Sequence, residues 1–332
     1  GIVSAGQVVI ASAAIERTVA DIVAADRVGA KRMGRAELLA QLFNEAPLSI
    51  GVAGTSGKST VTGMIGYILH TLGRDPTVMN GAVMKDFAAP ERPFASALVG
   101  QGDAFVSEVD ESDGSIAYYR PHVAVLNNVS LDHKSLDELR ALFGGFAERA
   151  GRVVVNIGDA EAAALAATIP ADKRTTFAIE GDADLTARAL DLAPFASRFE
   201  LVADGAVHDV RLAVPGRHNV ANALAAIGAV ATAGVPIADA VRAIAGFSGL
   251  KRRFELVGQA GGVAVIDDFG HNPDKIAATL DTLHAFPGRL LILFQPHGYG
   301  PLKHMRAELV ATFAARLREG DLLVLPDPVY QG

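Results

Sequence analysis

The chain has 332 residues, of which 50% are hydrophobic and 20% charged, and its net charge is -7. This length and composition predict a globular protein of two or three domains, and the acidic balance argues against a sequence-independent grip on nucleic acid. The absence of cysteine excludes disulfides and thiolate chemistry, and no apolar stretch approaches the ~20 residues of a membrane span, so we expect a soluble cytoplasmic protein.

Short β-branched runs alternate with helical patterns in the first half of the chain. The predicted strands cover residues 48–53, 105–109, 122–126 and 153–156. This alternation predicts an α/β fold with a mainly parallel sheet covered by helices. Asp204-Gly205 lies between two extended runs in residues 198–214, which predicts an antiparallel hairpin.

A second α/β unit is predicted in the last third of the chain. Two helices, at residues 219–233 and 237–245, precede a glycine-containing domain joint at residues 246–249. An extended pair around Gly261-Gly262 follows, then a helix beginning at Asn272-Pro273. Strands are predicted at residues 290–294 and 322–325, with a helix between them.

The most informative segment follows the strand predicted at residues 48–53. It reads Gly54-Thr55-Ser56-Gly57-Lys58-Ser59-Thr60. Small residues let backbone N–H groups close around phosphate oxygens, while Lys58 adds a positive charge and Ser59 a magnesium-binding hydroxyl. The general phosphate-loop pattern requires glycine where Val52 stands, so the segment fits the narrower Gly-Thr-x-Gly-Lys-Ser/Thr template. The alternative is a glycine-rich turn with an exposed lysine.

Acidic residues cluster where the strand predicted at residues 105–109 ends. The cluster consists of Glu108, Asp110, Glu111 and Asp113. Such carboxylates repel one another unless a cation joins them, and Glu108 is our candidate magnesium ligand. Asp132-His133, beyond the next strand, is the element that would complement this acidic cluster. The alternatives are a solvated acidic loop and an ordinary cap or turn.

In this order, the motifs resemble those of the Mur ligase family, from about Val8 to the end of the chain. The pattern Glu-x-Asp-Glu-Ser-Asp is followed by Asn-x-x-x-Asp-His, which ends at His133. The resemblance implies that Glu108 and His133 hold magnesium beside the ATP γ-phosphate. Glu148 stands where some members carry a carbamylated lysine, and the alanine-adding branch also lacks that lysine.

The resemblance implies further contacts with ATP. Asn219 and Asn222 would contact adenine, although Asn219 alone is also explained as a helix cap. Arg253, at the end of a basic triplet, would reach the γ-phosphate, the alternative being a solvated basic patch. Asp268 and His271 match the family's segment at the ATP-facing edge of the last domain.

His297 ends the tetrapeptide most typical of the alanine-adding branch, Phe294-Gln295-Pro296-His297. The resemblance makes His297 a candidate contact for the substrate. In that branch arginines follow and help to hold the substrate carboxylate, whereas here residues 298–301 read Gly-Tyr-Gly-Pro. The amino acid that is added therefore stays open.

The resemblance also divides the chain into three parts. Residues 1–46 would be the remnant of an N-terminal UDP-sugar-binding α/β domain, whose glycine-rich beginning is absent. Residues 47–247 would be the central ATP-binding P-loop domain, and residues 248–332 a partial, Rossmann-like C-terminal domain that binds the amino acid. Either the chain is a fragment or its sugar-nucleotide site is reduced.

The implied function is that of an amide ligase of peptidoglycan biosynthesis that requires ATP and Mg²⁺. It would join an amino acid or peptide to the carboxylate of UDP-N-acetylmuramate or a relative through an acyl phosphate. The alternatives are a wall-peptide recycling ligase, a polymer-forming relative such as cyanophycin or folylpolyglutamate synthetase, and a catalytically idle nucleotide-binding module. The sequence leaves the oligomeric state open.

Overall fold

The N-terminal elements form a small α/β unit. The computed structural model, which describes residues 1–12, 15–130, 134–296 and 299–327, begins with a two-stranded parallel sheet. Its elements are β1 (Val8–Ala11), α1 (Ala20–Val28), β2 (Lys31–Gly34) and α2 (Arg35–Glu45). Phe43 of α2 is fully buried and makes edge-to-face contacts with Phe105 and Tyr119. These aromatic contacts attach the unit to the rest of the molecule.

A ten-stranded sheet lies at the centre of the molecule. Its strands are β3 (Leu48–Ala53), β4 (Thr77–Met79), β5 (Ala97–Leu98), β6 (Ala104–Glu108), β7 (Val123–Leu126), β8 (Arg152–Asn156), β9 (Arg174–Ile179), β10 (Leu185–Ala193), β11 (Ala196–Ala203) and β12 (Ala206–Leu212). Their spatial order is β12-β11-β10-β9-β8-β7-β3-β6-β4-β5. The strands from β10 to β4 run parallel, with antiparallel strands at both edges. The predicted α/β fold is confirmed.

Helices cover both faces of this sheet. They are α3 (Lys58–Thr71), α4 (Leu136–Glu148), α5 (Ala160–Thr168), α6 (Arg217–Thr232) and α7 (Ile237–Ile244). One core packs α3, α6 and α7 on the sheet, and the other packs α2, α4 and α5 on the opposite face. Burial on both faces explains why β3 and β7 are almost continuously apolar.

The predicted hairpin is present at the edge of the sheet. β11 pairs antiparallel with β12, and Asp204 and Gly205 form the turn with φ angles of 49° and 74°. Both angles are positive, as a tight hairpin turn requires. The following helix, α6, begins at Arg217, two residues earlier than predicted.

The C-terminal part is a smaller unit with its own core. Its elements are β13 (Glu255–Ala260), β14 (Val263–Asp267), α8 (Pro273–Leu283), β15 (Leu291–Leu293), α9 (Tyr299–Arg316) and β16 (Leu322–Val324). The side chain of Asn272 caps α8 by accepting a hydrogen bond from the N–H of Lys275 at 2.9 Å, as predicted from Asn272-Pro273. Among the described helices, none combines the length and apolar character needed to cross a membrane.

Asp321 fixes the start of β16 against the end of α8. Its carboxylate accepts hydrogen bonds from the N–H groups of Leu290 and Arg318 and contacts the ring of His284 at 3.0 Å. These bonds lower the pKa of the Asp321 carboxyl to about 2. The pair of Asp321 and His284 lies away from the cleft described below and stabilises the C-terminal unit.

Candidate active site

The predicted phosphate loop joins β3 to α3. Gly54 and Gly57 have φ angles of 134° and 85°, a region that L side chains rarely adopt. A Cβ on Gly57 would lie 2.4 Å from Nδ2 of Asn127 and 2.5 Å from Oδ1 of Asn222. Glycine is therefore required here by both backbone conformation and space. The first N–H groups of α3 have no intrahelical partners and can receive an anion.

Two asparagines at the end of β7 hold this loop in shape. The N–H of Ser56 donates to Oδ1 of Asn128 at 2.8 Å, and the side-chain amides of Asn127 and Asn128 donate to the Ser56 carbonyl at 3.0 and 2.9 Å. The N–H of Thr55 donates to the Asn128 carbonyl. These roles were not predicted from the sequence. The available signal was that Asn127-Asn128 ends a strand, and β7 lies beside β3.

Lys58 folds back over the loop. Its ammonium group donates to the Gly54 carbonyl at 2.8 Å and to the two carboxylate oxygens of Glu111 at 2.9 and 3.1 Å. The side chains of Lys58 and Glu111 are only 13% and 7% exposed. The acidic cluster therefore contains a buried ion pair, and Glu111 is a residue to which sequence reasoning gave no role.

Ser59 and Glu108 supply oxygen atoms of the kind that magnesium prefers. Ser59 lies in the first turn of α3, where its carbonyl accepts a hydrogen bond from the Asn80 amide at 3.0 Å. The Glu108 carboxylate, at the end of β6, accepts one from the N–H of Gly81 at 2.9 Å. His133 lies outside the described residues. Within the described part of the chain, no three His, Asp or Glu side chains are grouped closely enough to hold a metal ion.

Asn219 and Asn222 connect α6 to the phosphate loop. Oδ1 of Asn222 accepts a hydrogen bond from Asn127 at 3.0 Å, and its amide donates to Oδ1 of Asn219 at 3.1 Å. The Asn219 amide in turn donates to the Pro215 carbonyl at 2.7 Å. Because α6 begins at Arg217, Asn219 lies inside the helix, and its explanation as a cap is wrong. The adenine contact stays a prediction.

Arg253 extends from the C-terminal unit to the first turn of α3. Its Nη2 lies 3.5 Å from Oγ of Ser59, and its guanidinium group stacks 5.2 Å from the centre of the Phe269 ring. Burial lowers the pKa of the Arg253 guanidinium, while Glu108 and Asp268 act in the opposite direction. A partly desolvated cation in this position is suited to an anionic ligand.

Asp268 and His271 lie on the C-terminal side of the same cleft. The Asp268 carboxylate accepts hydrogen bonds from the N–H of Phe254 and the hydroxyl of Thr279, both at 2.8 Å. The His271 ring contacts the Phe269 carbonyl at 3.1 Å through Nδ1. Across the cleft, burial lowers the pKa of the His218 imidazole, which Asp268 partly offsets. His297 lies outside the described residues.

These groups surround one cleft of about 430 Å³ between the central sheet and the C-terminal unit. Of the predicted site residues that the structure describes, those lining it are Thr55, Ser56, Gly57, Lys58, Ser59, Thr60, Glu108, Asn219, Asn222, Arg253, Asp268 and His271. Oγ of Ser56 and Oδ1 of Asn127 are buried there and have no hydrogen-bond partner among the described residues. The volume, the orphaned polar atoms and the cations all suit a nucleotide with its phosphates.

Two family models match most of the chain. The Mur ligase middle domain matches residues 52–230, and the Mur ligase, glutamate ligase domain matches residues 252–328. The chain belongs to the Mur ligase family. This membership makes the protein an ATP-dependent ligase.

Named relatives place this Mur ligase near one branch. The UDP-N-acetylmuramate–L-alanine ligase of Acidithiobacillus ferrooxidans is 38% identical over 340 residues, which cover 98% of this chain and 71% of the relative. The solved UDP-N-acetylmuramate-alanine ligase of Thermotoga maritima has the same fold, with a TM-score of 0.77 and 24% identity over 96% of this chain and 76% of that one.

A further similar structure comes from Neisseria meningitidis. It is a UDP-N-acetylmuramate:L-alanyl-gamma-D-glutamyl-meso-diaminopimelate ligase, 26% identical, with a TM-score of 0.62 over 74% of this chain and 80% of that one. The similarity of this Mur ligase therefore extends to enzymes whose names specify a single amino acid and to one whose name specifies a tripeptide.

Proposed function

We propose that this Mur ligase joins L-alanine to the carboxylate of UDP-N-acetylmuramate in peptidoglycan biosynthesis. The observation that carries the proposal is the position of Arg253, which reaches Ser59 at the foot of the phosphate loop from the C-terminal unit. Lys58 and Arg253 thereby line one cleft from two sides. The choice of L-alanine rests on the relative that is 38% identical.

Amide formation from a carboxylate requires activation, because the carboxylate is anionic and has no good leaving group. A carboxylate oxygen of the sugar substrate attacks the γ-phosphorus of ATP, the bond to the β-phosphate oxygen breaks, and ADP leaves. The amine then attacks the carbonyl carbon of the acyl phosphate. The tetrahedral intermediate expels inorganic phosphate, and the nitrogen loses a proton.

Residues of the cleft stabilise the charge that gathers around the transferred phosphoryl group. The N–H groups of the loop and the start of α3 bind the phosphates, Lys58 contributes a point charge, and Arg253 contributes two parallel donors. Ser59, Glu108 and His133 are the proposed ligands of Mg²⁺, which would neutralise phosphate charge when bound. Asp268 supports the backbone at Phe254 and thereby the position of Arg253.

The remaining assignments follow from the same proposal. Asn219 and Asn222 would contact adenine, His271 would lie at the nucleotide, and His297 would contact the amine substrate. We also propose that residues 1–46, 47–247 and 248–332 bind the UDP-sugar, the ATP and the amino acid, respectively.

A second candidate function is the addition of a peptide in place of a single amino acid. Residues 298–301 favour it, because they read Gly-Tyr-Gly-Pro where arginines of the alanine-adding branch would help to hold the carboxylate of the substrate. Without arginines at these positions, the sequence offers fewer cations there to orient the carboxylate of a small amino acid.

Phosphate release with UDP-N-acetylmuramate as acceptor tests the proposal. We expect release with L-alanine to exceed release with glycine, L-serine, D-alanine or L-alanyl-γ-D-glutamyl-meso-diaminopimelate, and none when either substrate is omitted. Faster release with the tripeptide would establish the second candidate. Binding of ATP without release in any mixture would contradict the ligase function and indicate an idle nucleotide-binding protein.

A further inference from the structure

The ion pair between Lys58 and Glu111 is not explained by the proposed reaction. Both side chains are nearly buried, and the two carboxylate oxygens of Glu111 lie 2.9 and 3.1 Å from the ammonium nitrogen. Yet the lysine of a phosphate loop acts through its charge on phosphate oxygens. In this structure the charge is directed to a carboxylate of the same chain.

We propose that Glu111 is a positioning residue that holds Lys58 in the nucleotide-free site and is displaced from it when a phosphate enters. The inference rests on the proposed binding of ATP in this cleft. A lysine has three N–H donors, and here the Gly54 carbonyl and both oxygens of Glu111 accept them. A phosphate oxygen can bind Lys58 only by replacing one of these acceptors.

Glu111 differs from its acidic neighbours in burial and in partner. Asp110 and Asp113 are exposed, and each carboxylate accepts a hydrogen bond from a backbone N–H two residues further on, at Ser112 and Ser115. Glu111, by contrast, is buried, with 5% of the whole residue exposed. The two aspartates therefore shape the loop, while Glu111 is the member that reaches the lysine.

The loop that carries Glu111 is held firmly at its far end. A short 3-10 helix, Ser115–Tyr118, follows it, and the Arg149 guanidinium donates to the carbonyls of Ile116 and Tyr119, both at 3.1 Å. Ile116 and Tyr119 are buried. These contacts hold Glu111 next to Lys58. The Glu111 carboxylate can therefore compete with a phosphate for the ammonium group of Lys58.

This arrangement has a thermodynamic consequence. A buried lysine without a partner is costly, so Glu111 stabilises the empty site. The same pair must be given up when ATP binds, so part of the binding free energy is used to separate it. Removing the charge of Glu111 should lower the stability of the nucleotide-free protein and raise its affinity for phosphate.

Calorimetric titration with ATP in EDTA, at about 0.15 M salt to screen distant charges, tests this inference without the metal and without turnover. We expect Glu111→Gln to lower the Kd for ATP by on the order of tenfold, the value of one charge-assisted hydrogen bond. Asp113→Asn is the matched control, because it removes the same charge from an exposed position in the same loop. It should change Kd by less than about threefold.

A second measurement and a second variant complete the test. Glu111→Gln should lower the melting temperature of the empty protein more than Asp113→Asn does. If Glu111→Gln fails to fold, Glu111→Asp, which keeps the charge on a shorter side chain, should lower Kd by a smaller factor.

Four outcomes are decisive. The proposal is overturned by a Kd for Glu111→Gln that equals or exceeds that of the wild type, or by an equal decrease in Asp113→Asn. An unchanged or raised Kd in Glu111→Asp overturns it where Glu111→Gln does not fold. A wild-type protein that binds no ATP would instead refute the proposed function.

Discussion

The basic triplet Lys251-Arg252-Arg253 places its three side chains in different surroundings. Lys251 is exposed, Arg252 lies 3.8 Å from the Asp267 carboxylate, and Arg253 reaches Ser59. Arg252 has a φ of 59°, so the chain turns sharply between two neighbouring arginines. The sequence of the triplet did not show which of the three residues would contact phosphate, and Arg253 was chosen from the family resemblance. In the structure, Arg253 is the one that contacts Ser59.

Replacement of Arg253 tests this assignment. We expect Arg253→Ala to lower kcat for phosphate release by about 10²–10³, the usual effect of removing one donor that stabilises transition-state charge. Arg253→Lys should recover only part of the loss, because an ammonium group lacks the two parallel donors. Lys251→Ala removes a neighbouring charge as a control, and a comparable loss in it would contradict the specific role of Arg253.

The phosphate loop and its supports differ in how far the sequence could predict them. The strand–loop–helix succession and the glycines were readable because they depend on neighbours in the chain. The support from Asn127 and Asn222 was not, because it depends on β7 and α6 meeting the loop from 71 and more residues away. The role of Glu111 could not be predicted for the same reason. Its pairing with Lys58 requires the ends of β3 and β6 to be adjacent.

A pair of glycine substitutions on α3 separates backbone strain from the loss of this support. Gly57 and Gly73 flank the helix with φ angles of 85° and 73°, so alanine should cost roughly 1–2 kcal/mol of stability at either position. Only at Gly57 would the new Cβ displace the amides of Asn127 and Asn222, since no atom of the described residues lies within 4 Å of a Cβ built on Gly73.

We therefore expect Gly57→Ala to raise the Kd for ATP at least about tenfold, since displaced buried amides cost about 1–3 kcal/mol. Gly73→Ala should bind ATP as the wild type does. Melting curves measure the strain, and titration calorimetry measures the affinity. Equal affinities in the two variants would show that the amides near Gly57 do not shape the site.

At the scale of the whole molecule, the site is assembled from two units. The phosphate loop and Glu108 belong to the central sheet, whereas Arg253, Asp268 and His271 belong to the segment that begins the C-terminal unit. Ser59 and Arg253 are 194 residues apart in the chain. The order of the motifs predicted the family, and the alternation of strands and helices predicted the α/β fold. The convergence of these side chains could be seen only in the folded chain.

In the proposed complex, residues of both units bind one triphosphate. A crystal structure with Mg²⁺ and a non-hydrolysable ATP analogue would show whether they do. We predict that the triphosphate lies in the cleft with its oxygens within hydrogen-bond distance of both Lys58 and Arg253. A triphosphate bound in another crevice, or one that only one of these two cations contacts, would show that the two units do not share the nucleotide.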